Sequence, residues 1–154
     1  MLHIDLVAVG RVKERFLQDG IAEYTKRLRP YARIEVIEVD DEPCDGDEHN
    51  AKAKEGEKIL KRVAAGDLVI ALDRMGEMLS SPDLANAVRD WEMAGRKVVF
   101  VIGGSTGLSE EVLKRADRKL SFSKLTFPHQ LFRLMLVEQI YRAFKIARGE
   151  KYHK

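Results

Sequence analysis

With 154 residues, 45% apolar and 34% charged side chains, the chain can fill one domain with a real core and has the make-up of a soluble globular protein. One cysteine, Cys44, excludes an internal disulfide and a cysteine metal framework, and no apolar run approaches the roughly 20 residues of a membrane helix. A net charge of +2 selects no partner class, and with no signal-peptide pattern at the start a cytoplasmic protein is expected.

The first apolar run, Ile4–Val9, reads as a strand. Val12–Leu28 carries Phe16, Leu17, Ala22, Tyr24 and Leu28 on helical spacing and ends before Pro30. Arg33–Val39 is a second strand, and it runs into Asp41–Glu48, which Pro43 and Gly46 mark as a mobile loop. A helix over Asn50–Ala65 stops at Gly66. Leu68–Leu72 is a third strand, ending in the polar turn Asp73-Arg74, where Asp73 could bind a ribose or an amino group or merely orient Arg74.

Ser81-Pro82-Asp83 opens the next helix with a serine cap, an early proline and an early acid, and Gly95 closes it. Val98–Ile102, a short helix from Ser109-Glu110-Glu111, and Lys119–Phe122 follow. This alternation predicts an α/β fold, a single domain over 1–154 with a parallel sheet covered by helices on both faces.

The last helix, Pro128–Arg148, carries Leu131, Phe132, Leu134, Met135, Leu136, Val137, Ile140, Tyr141, Phe144 and Ile146, which cover more than one stripe. A helix apolar on most sides is buried on most sides. Either it lies centrally within one chain or a second copy covers it, and a homodimer is expected.

Charge is unevenly spread. Glu35–Glu48 holds eight acids and no Lys or Arg, whereas Arg11–Arg33 holds seven bases against three acids. The tail from Arg142 to Lys154 holds five bases against Glu150. One face presented to a polyanion fits this pattern, and so do ordinary charged helix surfaces.

Two turns carry the chemistry. Gly103-Gly104-Ser105-Thr106-Gly107 joins a strand to a helix as a phosphate or nucleotide loop would, yet it satisfies neither the dinucleotide fingerprint nor the P-loop, and a plain tight turn explains it as well. Ser121–His129 alternates Ser121, Ser123 and Thr126 with Phe122, Leu125 and Phe127 before Pro128. Such a loop can wrap an adenine, or its hydroxyls can simply cap the long helix. His129 reads as a neutral histidine bonded to backbone rather than a base. No cluster has metal-ligand spacing.

These pieces, in order, resemble the RlmH family of SPOUT-class methyltransferases, which act on large-subunit ribosomal RNA. The resemblance rests on Leu6-Val7-Ala8-Val9-Gly10, Ala71-Leu72-Asp73, Val101 to Leu108, Leu120 to Gln130, Glu138 to Phe144 and Tyr152-His153-Lys154. It implies a C-terminal part tucked as a deep trefoil knot, which breaks the rule against threaded loops. It also implies S-adenosylmethionine held by three loops: Leu72; then Gly103 and Gly104; then Phe122, Ser123, Lys124, Leu125, Thr126 and Phe127.

The family works as a homodimer and methylates N3 of a pseudouridine in 23S ribosomal RNA, on assembled ribosomes, with no metal and no membrane. On this resemblance, tail position and residue chemistry, His153 is the candidate base, Arg142 the charge stabiliser and Tyr152 the group that stacks on or bonds to the target. Arg11, Lys13 and Arg15 would add RNA grip. A SPOUT methyltransferase of another RNA base and a non-catalytic ribosome-associated factor are the competing readings.

Overall fold

A computed structural model describes residues 1–152. Five strands alternate with five helices: β1 (Leu2–Val9), α1 (Arg15–Leu28), β2 (Ala32–Val39), α2 (Glu48–Leu60), β3 (Leu68–Met78), α3 (Ser81–Ala94), β4 (Val98–Ile102), α4 (Glu110–Arg115), β5 (Arg118–Ser121) and α5 (His129–Ala147). All strand pairs are parallel, in the order β2-β1-β4-β3-β5.

The central strands are mostly apolar where helices cover both faces, with Asp5 of β1 a buried exception. Ile4, Leu6 and Ala8 of β1, Ile70 and Leu72 of β3 and Phe100 of β4 pack on the side of α1, α3 and α5. Val7, Val9, Val69, Val99 and Val101 face the other way, against Ile59 of α2 and Val112 of α4. This is the α/β architecture expected from the alternation. Among the described residues no helix is long and apolar enough to cross a membrane.

Several boundaries differ from the sequence reading. The first helix starts at Arg15 rather than Val12, because Gly10 turns with φ 89° and the Val12 amide donates to Glu38 Oε2 (3.3 Å). In α3 the cap is Ser80, not Ser81: its hydroxyl accepts from the Asp83 amide (3.1 Å) and the Asp83 carboxylate accepts from the Ser80 amide (3.3 Å). That reciprocal pair is a capping box. The loop after β2 is anchored: the Glu42 amide donates to Glu55, and Lys58 pairs with the Glu42 carboxylate at 2.7 Å.

Helix α5 packs against α1 and α3 through Leu136, Val137, Ile140, Ala143 and Phe144. The central-helix reading therefore accounts for one side of it. Leu134 and Met135 stay half-buried and line an open groove of about 510 Å³, together with Tyr24, Leu84, Phe122 and Glu138. Arg133, in the second turn of the helix, is 2% exposed. Its guanidinium donates to Glu38 (2.5 Å) and to the Gly10 carbonyl (3.1 Å), tying α5 to the β1–α1 turn.

Candidate cofactor and active site

The order of the strands builds the site. β3 lies between β4 and β5, so Leu72 pairs with Ile102 on one side and Leu120 on the other. β4 and β5 lead into the glycine turn and the 121–127 loop, whereas Asp73-Arg74, expected as a turn after Leu72, lies within β3, whose pairing with β5 shifts register between Leu72 and Glu77. All three line one cavity of about 410 Å³ at the carboxyl edge of the sheet. That edge is where open α/β sheets bind ligands, and the volume falls within the roughly 300–1,000 Å³ usual for small-molecule sites.

Leu72, Gly103, Gly104, Phe122, Ser123, Leu125, Thr126 and Phe127 all line it, as do Asp73, Arg74, His129 and Phe132. Lys124 is exposed and is not part of the lining. Gly103 has no space for a side chain: a Cβ there would meet the Gly107 carbonyl carbon at 2.7 Å. Gly107 in turn sits at φ 84°, and its amide donates to the Gly104 carbonyl (3.1 Å), closing the turn. Phe132 stands 4.9 Å from Phe122 and 6.2 Å from Phe127, ring centre to ring centre, which gives the cavity an aromatic wall.

The hydroxyls of the 121–127 loop do not cap α5, contrary to the alternative reading. The cap position is Pro128, with no side-chain hydrogen bond. Ser123 instead accepts from the Leu125 amide (3.0 Å), and the Ser121 hydroxyl donates to the Ser123 carbonyl (3.0 Å). They shape the loop itself.

Arg142 and Tyr152 lie elsewhere, around Glu138. Arg142 donates to Glu138 Oε1 at 2.6 Å, Tyr152 donates to the same oxygen at 3.1 Å, and Gln139 donates to Oε2 at 2.9 Å. The guanidinium lies 4.8 Å from the centre of the Tyr152 ring. The Glu138 carboxylate strengthens the hold of Arg142 on its proton. Burial, then hydrogen bonds to Tyr24 and Glu138, push the Tyr152 phenol well above its ordinary range, so it is a hydrogen-bond donor and not a base. Glu138 faces the 510 Å³ groove, which shares Leu120, Ser121 and Phe122 with the 410 Å³ cavity. Within one chain the cluster and the cavity are therefore neighbours rather than one site. His153 lies outside the described residues.

Two supporting residues escaped the sequence reading: Glu55 and Gly56 of α2. Gly56 admits Ser109, whose hydroxyl a Cβ there would strike, and Glu55 lies against Gly104. The signal was present as an acid on the apolar stripe, four residues after Ala51 and four before Ile59.

Comparison with known proteins bears directly on this geometry. Residues 2–153 match the family model described as Predicted SPOUT methyltransferase. The chain is similar to the ribosomal RNA large subunit methyltransferase H of Carboxydothermus hydrogenoformans, 56% identical over 159 residues that cover 99% of this chain and 100% of that one. It is similar to the protein of the same name from Bacillus pumilus, 52% identical with the same coverage. Among solved structures, a probable methylase family protein from Haemophilus influenzae aligns with a TM-score of 0.56 at 15% identity, covering 99% of this chain and 70% of that chain, a likeness of fold alone. A match that runs through every strand and helix, at identities above one half, leaves one conclusion: the chain belongs to the SPOUT methyltransferase family.

Proposed function

We propose that the protein uses S-adenosylmethionine to methylate N3 of a pseudouridine in 23S ribosomal RNA, acting in the cytoplasm on assembled ribosomes as a homodimer of one-domain chains (residues 1–154) with the family's C-terminal knot. The observation that carries this reading is the convergence of three adjacent strands, β3 at Leu72, Asp73 and Arg74 and the ends of β4 and β5, on one cavity. The names of the relatives, ribosomal RNA large subunit methyltransferase H, support the substrate class.

The lining fits the cofactor. Phe122, Phe127 and Phe132 offer faces to a purine, the peptides of Gly103 and Gly104 come close because no Cβ intervenes, and Asp73 can accept from ribose hydroxyls. Leu72 and the loop residues Phe122, Ser123, Leu125, Thr126 and Phe127 complete the assignment; Lys124 belongs to the loop but lies outside the lining. When bound, the cofactor supplies an electrophilic methyl group on its sulfonium. The residues of the chain then have three tasks: to hold the target base in line, to exclude water and to receive or stabilise the N3 proton's charge. Arg142, kept charged by Glu138, stabilises the developing imide anion. Tyr152 donates a hydrogen bond or stacks, and His153 takes the proton.

Docking a second copy on the apolar groove along Leu134, Met135 and Glu138 would bring a partner's Arg142–Tyr152 cluster beside the cofactor cavity, because the groove opens onto it at Leu120–Phe122. The homodimer reading would account for the separation seen within one chain.

Mass mapping of ribosomal RNA from a strain lacking the protein tests the function. The expected result is the loss of one methyl group from one pseudouridine of the large-subunit RNA, restored by the gene but not by a His153→Ala copy. An unchanged methylation map overturns the proposal. A monodisperse monomer at micromolar concentration by ultracentrifugation overturns the dimer.

A further inference from the structure

Glu55 is a buried acid with an incomplete set of partners. It is 5% exposed, its Oε2 accepts from the Glu42 amide (3.0 Å), and its Oε1 is buried without a hydrogen bond. A Leu or Met would satisfy the packing of α2 at this position without the cost of desolvating a carboxylate. The acid lies against the back of the glycine turn: a Cβ at Gly104 would stand 3.4 Å from Oε1, 3.6 Å from Oε2 and 3.1 Å from Val9 Cγ1. The front of that same residue lines the 410 Å³ cavity. One peptide therefore separates the carboxylate from whatever occupies the cavity.

The other charges nearby offset it only in part: Lys58 feels Glu55, but its stronger partners lie elsewhere. Lys58, one turn further along α2, is engaged by the Glu42 carboxylate (2.7 Å) and the Asp40 carbonyl (3.2 Å). Asp73 and Arg74, which face the cavity directly, offset each other in formal charge. Methyl transfer changes the cofactor by one unit of charge: the sulfonium is a cation, and the thioether left behind is neutral at that atom.

We propose that Glu55 determines specificity between the two forms of the cofactor, its carboxylate behind Gly104 favouring the cationic sulfonium over the thioether product, S-adenosylhomocysteine. This rests on the reading of the cavity as the S-adenosylmethionine site. It gives the protein a way to release product by charge, without moving the turn. With the sulfonium against the front of the Gly104 peptide, the placement this proposal requires, its charge lies roughly 8 Å from the carboxylate. At an effective dielectric of about 40, between the protein-surface and water values, one unit charge at that distance changes affinity about 6-fold.

The test is calorimetric titration of the wild type and of Glu55→Gln with S-adenosylmethionine, S-adenosylhomocysteine and sinefungin, in which a protonated amine replaces the sulfonium. The substitution is expected to weaken both cationic ligands about 6-fold relative to the thioether. Equal weakening of all three, as a merely structural role would give, or an unchanged ratio overturns the proposal. A wild type that binds none of the three refutes the cofactor reading instead. Should Glu55→Gln fail to fold, the wild type alone decides: sinefungin is expected to bind more tightly than S-adenosylhomocysteine, and the reverse order or equality overturns the proposal.

Discussion

Replacing Arg133 by Met tests whether α5 is held to the β1–α1 turn by charge or by packing alone. Met retains most of the length of the side chain, so little cavity opens, and the cost is electrostatic. Two bonds disappear: one to Glu38 at 2.5 Å and one to the Gly10 carbonyl at 3.1 Å. Glu38 is 40% exposed and keeps the Val12 amide, so water recovers much of what it loses. The Gly10 carbonyl is left inside without that donor, at a cost of about 1–3 kcal/mol. The charge-assisted bond to Glu38 contributes about 1–2 kcal/mol, and sparing a buried guanidinium its desolvation offsets about 1 kcal/mol of the total. The net expectation is a loss of about 1–4 kcal/mol, a sizeable part of the 5–15 kcal/mol that holds a typical domain. Urea denaturation should show a lower midpoint with an unchanged slope. A double-mutant cycle with Glu38→Gln should show a coupling of about 1–2 kcal/mol. Stability within about 0.5 kcal/mol of the wild type, or no coupling, would refute the reasoning.

Gly103→Ala should lower S-adenosylmethionine affinity by about 10-fold or more while leaving the far-ultraviolet spectrum unchanged, because the new methyl group displaces the turn that lines the cavity. Ser80→Ala should cost about 1 kcal/mol, read from the thermal midpoint, through loss of one half of the α3 capping box. The raised Tyr152 phenol makes stability pH-dependent on the alkaline side. Folding favours its neutral form, so its contribution is complete below the ordinary tyrosine value of about 10 and is lost as pH rises through the folded value. Tyr152→Phe should remove that alkaline slope in denaturation curves taken between about pH 9 and pH 12, and an identical slope would count against the Tyr152–Glu138 contact.

Much of the fold was legible because β1, β4 and the first half of β3 are largely apolar runs, and α3 and α4 begin on serine caps; the polar second half of β3, through Met78, was not. What escaped has a common cause: the signals are non-local. Nothing in the residues near Leu72 says that β3 comes to rest between β4 and β5, although that placement makes the cavity. Arg133 takes its role from partners at positions 10 and 38, far from it in sequence. Glu55 is marked by its place on the apolar stripe of α2, but its neighbour Gly104 is equally remote along the chain. The choice between wrapping and capping in the 121–127 loop turned on where single hydroxyls point, which spacing does not encode. Of the tail residues, Arg142 and Tyr152 proved to share one carboxylate, Glu138, a partner the sequence reading had quoted without assigning a role.

The placement of β3 between β4 and β5 also governs when the protein can become active. A nascent chain that has emerged through β3 has its first cavity wall, but the flanking strand on one side is supplied by residues 98–102 and on the other by 118–121, and the aromatic wall by Phe132. Parallel pairings between such distant segments form slowly, since each closes a long loop before any contact rewards it. A ligand of this cavity therefore cannot template early folding during synthesis, since its binding needs nearly the whole chain.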